Sequence, residues 1–400
     1  MNGKKYFFSG IAVGAALLLA LYLLAITARP YIKPLINSFI QRPLEVDEKI
    51  GEIMEILDNH YINEYRTDLM VESMFRGMVA GVGDPYTYYF DPESFAEFMQ
   101  QSEGVYAGIG VVVAVDEADN LVTVVTPYEG SPGKLAGLQA GDKFIMIDGN
   151  DVSDKKLEDV TSMTKGPPGT HVTITVYRPS ENRTFELEII RDTIKIPTVA
   201  HRMLDHNVGY IRIVSFERVT LEQFQNALEE LNGSGMEGLI IDLRNNPGGL
   251  LDVVVKITDE LVPEGVIVYT EDKNGKREYF NAGKNHLGIP LTILVNGNSA
   301  SASEVLSGAV KDHNVAELVG MTTFGKGIVQ NIFRLSDGSA VKVTISKYFT
   351  PNGVCIQSEG IEPDYIVEMD ETMSLRIGEL TFEEDVQLQK ALEVTLNKIK

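Results

Sequence analysis

One cysteine, Cys355, in 400 residues leaves no partner for an internal disulfide and excludes a Cys-rich zinc module. Basic charge is scarce as well. The 35 Lys and Arg stand against 57 Asp and Glu, and a formal net charge of −22 argues against nucleic acid, whose phosphates need a basic surface. Histidine is sparse and scattered. None of the six forms a His-Glu-x-x-His pattern, and His201 and His206 have only Asp205 between them as an acid, so no metal site is expected. The dinucleotide fingerprint is missing its third glycine after Gly108-Ile109-Gly110, and no internal repeat or low-complexity tract occurs.

What is present suits a globular chain of two or three domains, since 44% hydrophobic content supplies ample core. The acid excess lies entirely beyond residue 42, because residues 1–42 hold five Lys/Arg and no Asp/Glu. From Tyr6 to Ala28 no charge occurs at all. That run would make a helix of about 35 Å, enough to cross a bilayer core. It is longer than a signal-peptide core, and Ala25-Ile26-Thr27 is a poor cleavage site, so an uncleaved anchor over 1–30 is expected. Lys4 and Lys5 ahead of it favour an N-terminus in the cytoplasm and the rest exported.

After a proline-bearing linker, Ile50, Ile53, Met54 and Leu57 recur at helical spacing, and a second helix is expected over about 68–80, stopped by Gly81-Val82-Gly83-Asp84-Pro85. Residues 31–103 thus read as linker and helical subdomain. Residues 104–192 change to short β runs: Val111–Val115, Val122–Thr126, Lys143–Ile147 and Val172–Tyr177, with Asp148-Gly149 as a hairpin turn. Leu157, Val160 and Met163 mark a short helix among them. From 193 to 370 strands and helices alternate, and the apolar runs Leu239–Ile241 and Leu291–Val295 read as strands buried on both faces of an α/β core. Asn331–Leu335 and Ala340–Ser346 flank Asp337-Gly338 as a hairpin. Leu388, Leu392, Leu396 and Ile399 give the closing segment, 371–400, an amphipathic helix.

Two near-misses narrow the chemistry. Gly320 to Lys326 matches the first seven positions of a phosphate-binding P-loop, but Gly327 replaces the Ser/Thr that would ligate magnesium. Gly297-Asn298-Ser299 begins like the nucleophile loop of trypsin-type proteases, yet the two following glycines are missing. The chain instead runs Asn298-Ser-Ala-Ser301-Ala302-Ser-Glu304 between an apolar strand and a helical pattern. At such a turn a hydroxyl projects and the helix N-terminus offers free N–H groups to an oxyanion. Taken alone, Ser301 and Glu304 read first as a plain capping box. Asp242-Leu-Arg-Asn-Asn-Pro-Gly248-Gly249 follows a buried strand and could present backbone N–H groups to a carbonyl oxygen. Lys326 supplies a base without histidine. Its amine works only when neutral, and lowering a lysine pKa from about 10.4 to near 7 takes roughly 4–5 kcal/mol, which burial supplies.

Taken together and in this order, three motifs resemble those of the carboxyl-terminal processing (tail-specific) serine peptidases: Asp242 to Gly249, Asn298 to Glu304, and Thr323-Phe-Gly-Lys326-Gly-x-x-Gln330. The resemblance covers about residues 45–370. It implies a crotonase-like α/β core in which Ser301 is the nucleophile, Lys326 the general base and Gln330 the residue orienting the lysine. The oxyanion hole would use backbone N–H groups of Ala302 and of Gly248 or Gly249. Residues 104–192 resemble an inserted, mainly-β PDZ domain, whose Gly108-Ile109-Gly110-Val111 loop would hold the C-terminal carboxylate of a protein tail. The implied function is a single-pass membrane endopeptidase, active outside the cytoplasm on proteins with accessible C-terminal tails. It would need no metal or organic cofactor, and the amphipathic terminal regions allow a homo-oligomer. A coenzyme A enzyme is the rival at fold level. A catalytically inactive, membrane-bound PDZ scaffold is the rival in function, set apart by the Ser301 and Lys326 pair.

Overall fold

A computed structural model of the protein describes residues 45–399. The anchor expected over 1–30 and most of the linker lie outside these residues. Among the described residues no helix is long and apolar enough to cross a membrane. The described residues fall into two compact units, divided between Val71 and Glu72. In the first, the helical stripe at Ile50, Met54 and Leu57 lies on a helix over Glu45–His60, half-buried, while Ile53 stays exposed. The next helix spans Thr67–Ala80, as the sequence predicts.

In the second unit, an unforeseen helix α1 (Pro92–Glu103) is started by Asp91, whose side chain accepts from the Ser94 N–H at 2.9 Å, and stopped by left-handed Gly104. Beyond it the expected short strands form one antiparallel sheet, joined by a strand over Arg183–Ile190 that the sequence pattern did not reveal. Asp148 and Gly149 both take positive φ (49° and 75°), the geometry of a tight hairpin turn. Helix α2 (Leu157–Thr164) covers this sheet, with Phe144, Ile147, Val160, Ile174 and Val176 fully buried between them.

The remaining core is a sheet of β1 (Val199–Met203), β2 (Val208–Ile213), β3 (Gly238–Asp242), β4 (Leu291–Val295) and β5 (Ala316–Gly320) in that order, closed by a short strand at Tyr365–Ile366. Only the β1–β2 pair is antiparallel. Alternate residues of the central strands point to opposite faces. Ile211, Leu239, Ile241, Ile293 and Val295 pack under α3 (Thr220–Gly233), α4 (Leu251–Asp259) and α5 (Ala302–Asp312). Tyr210, Ile240 and Leu294 pack under α6 (Val386–Ile399). Burial on both sides explains why these strands are continuous apolar runs, each such side chain contributing about 1.5–3 kcal/mol. A second sheet carries β6 (Ile328–Arg334) and β7 (Ala340–Phe349), linked through the Asp337-Gly338 turn.

The segment 371–400 departs from its expected single helix. It forms a short helix at Glu371–Leu375 and then α6, because Asp385 caps α6 (Leu388 N–H to Oδ1, 3.0 Å) and Gly378 is held against Arg212.

Candidate active site

The turn between β4 and α5 is built from small polar residues that tie the backbone to itself. Ser299 Oγ donates to the Leu243 carbonyl at 2.8 Å and accepts from the Asn296 N–H at 2.9 Å. Ser303 Oγ donates to the Asn246 carbonyl at 3.0 Å. Both flanking serines are thus engaged in holding the turn. Between them Ser301 sits at φ 54°, ψ −110°, a conformation rare for a residue with a side chain and costing about 1–3 kcal/mol. Its surroundings fix it there: the N–H donates to Glu304 Oε2 at 2.8 Å, and the carbonyl accepts from the Tyr348 hydroxyl at 2.9 Å.

Against this turn lies the glycine pair that follows β3. At Gly248, with φ +105°, an added Cβ would fall 2.9 Å from Ser301 Cβ and 3.0 Å from the Ala302 nitrogen. Gly248, Ser301 and Ala302 therefore meet at one point, and only glycine fits there. Ala302 opens α5, so its N–H has no partner within the helix. The Gly248 N–H donates to Asn246 Oδ1 at 2.8 Å. Gly249 packs on Phe216, where an added Cβ would be 2.3 Å from the carbonyl oxygen.

The root of this loop is a buried charge cluster. Arg244, wholly buried, donates to both Asp242 oxygens (2.9 and 2.6 Å) and both Asp385 oxygens (2.8 Å each). Burial pushes the Asp242 carboxyl up, but the Arg244 guanidinium outweighs it and holds the group below the ordinary range.

Lys326 lies beyond β5 on a loop gripped by the same Glu304. This fully buried carboxylate accepts from the Ser301 N–H, Thr323 Oγ1 (2.7 Å), the Gly325 N–H (2.7 Å) and the Lys326 N–H (2.9 Å). The Tyr348 hydroxyl bridges the carbonyls of Ser301 and Lys326. The half-buried Lys326 amine lies 4.7 Å from the centre of the Tyr86 ring. Burial lowers its pKa, and the nearby Lys342 ammonium adds to the effect, against the opposing pull of Glu304 and Asp84. Lys326, Gln330, Gly248 and Gly249 share a cavity of about 540 Å³, with Lys342 and α1 on its walls. Gln330 Nε2 donates to the Ile328 carbonyl at 3.4 Å. In this conformation no side-chain hydrogen bond joins Lys326 to Ser301 or Gln330 among the described residues. Glu304 and Tyr348 carry the site's geometry, and the sequence marked only the first, as a cap.

A second cavity, about 430 Å³, lies between the strand at Val111–Val115 and α2. Ile109, Val111, Phe144 and Val160 give it an apolar lining, completed by the polar Thr164, Lys165 and, from α1, Gln100 and Gln101. Gly110 takes φ +74°, and a Cβ there would strike Ser131 at 2.4 Å, so the Gly108–Val111 loop is folded tightly over the groove. Among the described residues no cluster of three or more His, Cys, Asp or Glu is placed to hold a metal ion.

Comparison with known proteins matches two stretches of the chain to known families. The model of peptidase family S41 matches residues 207–367, and that of the PDZ domain matches residues 123–178. Fold and matches together define a serine peptidase carrying a PDZ domain. A carboxy-terminal-processing protease of Bartonella bacilliformis is 34% identical over 327 residues, 80% of this chain and 74% of that protein. A carboxyl-terminal-processing protease of Synechocystis is 37% identical over 322 residues, 79% and 75% of the two chains. The solved photosystem II D1 C-terminal processing protease aligns at 32% identity with a TM-score of 0.47, over 80% of this chain and 86% of that one. The chain belongs to the carboxyl-terminal processing proteases of peptidase family S41.

Proposed function

We propose that this chain is a membrane-anchored endopeptidase that captures protein C-terminal tails and cleaves through an acyl-enzyme on Ser301. The observation that carries this reading is the shared grip of Glu304 on the backbone of Ser301 and of Lys326 beside Gly248. A helix cap alone has no use for a second loop whose backbone N–H groups, at Gly325 and Lys326, are held to the same carboxylate.

The chemistry follows from the atoms. Neutral Lys326 Nζ takes the Ser301 Oγ proton as Oγ attacks the scissile carbonyl. The oxyanion enters the space beside the N–H groups of Ala302 and of Gly248 or Gly249, the paired-glycine use of a crotonase-like core. For Gly248 this means its N–H exchanges Asn246 Oδ1 for the substrate oxygen. Protonated Lys326 then gives its proton to the leaving amine; water, deprotonated by Lys326, attacks the acyl carbonyl, and Lys326 returns that proton to Ser301 Oγ as the acyl group leaves as a carboxylic acid. Gln330, on the same cavity wall, orients the lysine once substrate closes the site, since catalytic hydrogen bonds tighten in the substrate complex.

The groove under Gly108–Val111 suits a tail added as a strand, its carboxylate on the loop N–H groups and an apolar terminal side chain over Ile109, Phe144 and Val160. Gln101 of α1 lines both cavities, a route by which tail capture reaches the catalytic walls. The uncharged stretch Tyr6–Ala28 serves as the anchor, leaving the catalytic part outside the cytoplasm.

The test compares wild type, Ser301→Ala and Lys326→Ala on an unfolded substrate with an apolar C-terminal tail, products read by mass spectrometry. Cleavage should fall by roughly 10⁴-fold or more in each variant. Undiminished cleavage by Ser301→Ala would mean that Ser301 is only a cap. Binding of the tail without cleavage by wild type would favour the inactive scaffold.

A further inference from the structure

On the α6 face of the sheet a separate pocket of about 220 Å³ opens between β1, β2 and the segment Ile377–Leu380. Its walls carry two guanidinium groups, Arg202 and Arg212. The strand register sets Arg202 opposite Tyr210 and Ala200 opposite Arg212, so the two arginines are diagonal neighbours on one face, the spacing at which long side chains converge. The Arg202 guanidinium lies over the Tyr210 ring, 5.0 Å from its centre. Arg212 is pressed against Gly378, where an added Cβ would fall 2.1 Å from Nη1. Its Nε is buried and has no acceptor among the described residues. A buried N–H left without an acceptor is unfavourable, and the group that would satisfy it belongs in the pocket.

The nearby carboxylates are already committed. Asp385, on the pocket wall, gives both oxygens to Arg244, and Asp242 gives its own to Arg244 and Tyr210. His201 is bonded to Glu230. Both carboxylates are thus taken by Arg244, and among the described residues neither Arg202 nor Arg212 makes an ion pair.

We propose that this pocket binds a small oxyanion, the carboxylate or phosphate group of a ligand, clamped by Arg212 and Arg202. Planar guanidiniums suit either group. The bound oxyanion accepts from Arg212 Nε and ties the Ile377–Leu380 segment to the sheet. That segment leads to Asp385, which holds Arg244 at the root of the Gly248 loop. The site stands apart from the catalytic cavity and does not depend on the Ser301 chemistry.

The full chain is titrated with inorganic phosphate and, separately, with acetate, against chloride at matched ionic strength. Thermal unfolding and calorimetry are both followed. One of the two anions should raise Tm saturably, and which one does so identifies the group bound. Arg202→Gln should weaken that binding at least tenfold, as should Arg212→Gln. Arg202 is the more exposed handle and keeps the test valid should Arg212→Gln fold poorly. No saturable response to either anion, or unchanged affinity in Arg202→Gln, would overturn the proposal.

Discussion

At Glu304 one buried carboxylate takes four donors from two loops, and the consequences of losing it differ from those of losing a cap. Glu304→Gln keeps the size but turns an N–H₂ toward backbone N–H groups. It should cost about 2–4 kcal/mol of stability, read by chemical denaturation, and lower kcat well beyond what that loss explains. A cap alone would cost about 1 kcal/mol and leave kcat unchanged. Lys342 offers a second residue-scale test. It lines the cavity shared by Lys326 and Gly248, rests near the rings of Phe90 and Phe98, and is itself held below the ordinary lysine value by burial. Its positive charge disfavours the protonated form of Lys326. In Lys342→Met the Lys326 pKa should therefore rise, and the rising limb of kcat/KM against pH should move to higher pH. A limb that stays in place would show that burial alone sets the base.

At the scale of elements, the central strands were legible because both their faces are buried: Leu239–Ile241 and Leu291–Val295 left no polar alternation to misread. The turn at Asp148-Gly149 was equally plain, since its residues tolerate positive φ. Helix α1 was missed although Asp91-Pro92-x-Ser94 is a start signal, because Phe95, Phe98 and Met99 form too short an apolar pattern to stand out. The break before α6 was hidden for a different reason. Asp385 acts as cap and as partner of Arg244, more than 140 positions away, and no local pattern reports such a contact. Arg244→Met should leave Asp242 and Asp385 buried without their partner and cost about 3–5 kcal/mol, measured by thermal or denaturant unfolding. Arg244→Lys should recover only part of this, because an ammonium cannot bond both carboxylates in the plane of a fork.

For the whole molecule, motifs far apart in sequence, rather than any local pattern, marked residues that the fold brings together. Ser301, Gly248 and Ala302 meet as the glycine and serine motifs suggest, and Lys326 shares the cavity of Gly248. The sequence did not distinguish the two glycines by position, whereas the structure sets Gly248 against Ser301 and Gly249 against Phe216. Gln101, common to both cavities, leads to an expectation about tails: amidating the substrate C-terminus should slow cleavage at limiting substrate, and Gln101→Ala should reduce that discrimination. An unchanged rate on amidation would separate the PDZ groove from catalysis.

The most direct test is to label the intact protein with a serine-reactive phosphonate and locate the adduct by peptide mapping. A single adduct on Ser301 is expected, formed faster as pH rises through the Lys326 titration and almost absent in Lys326→Ala. An adduct on Ser299 or Ser303, or a labelling rate unaffected by Lys326→Ala, would contradict it.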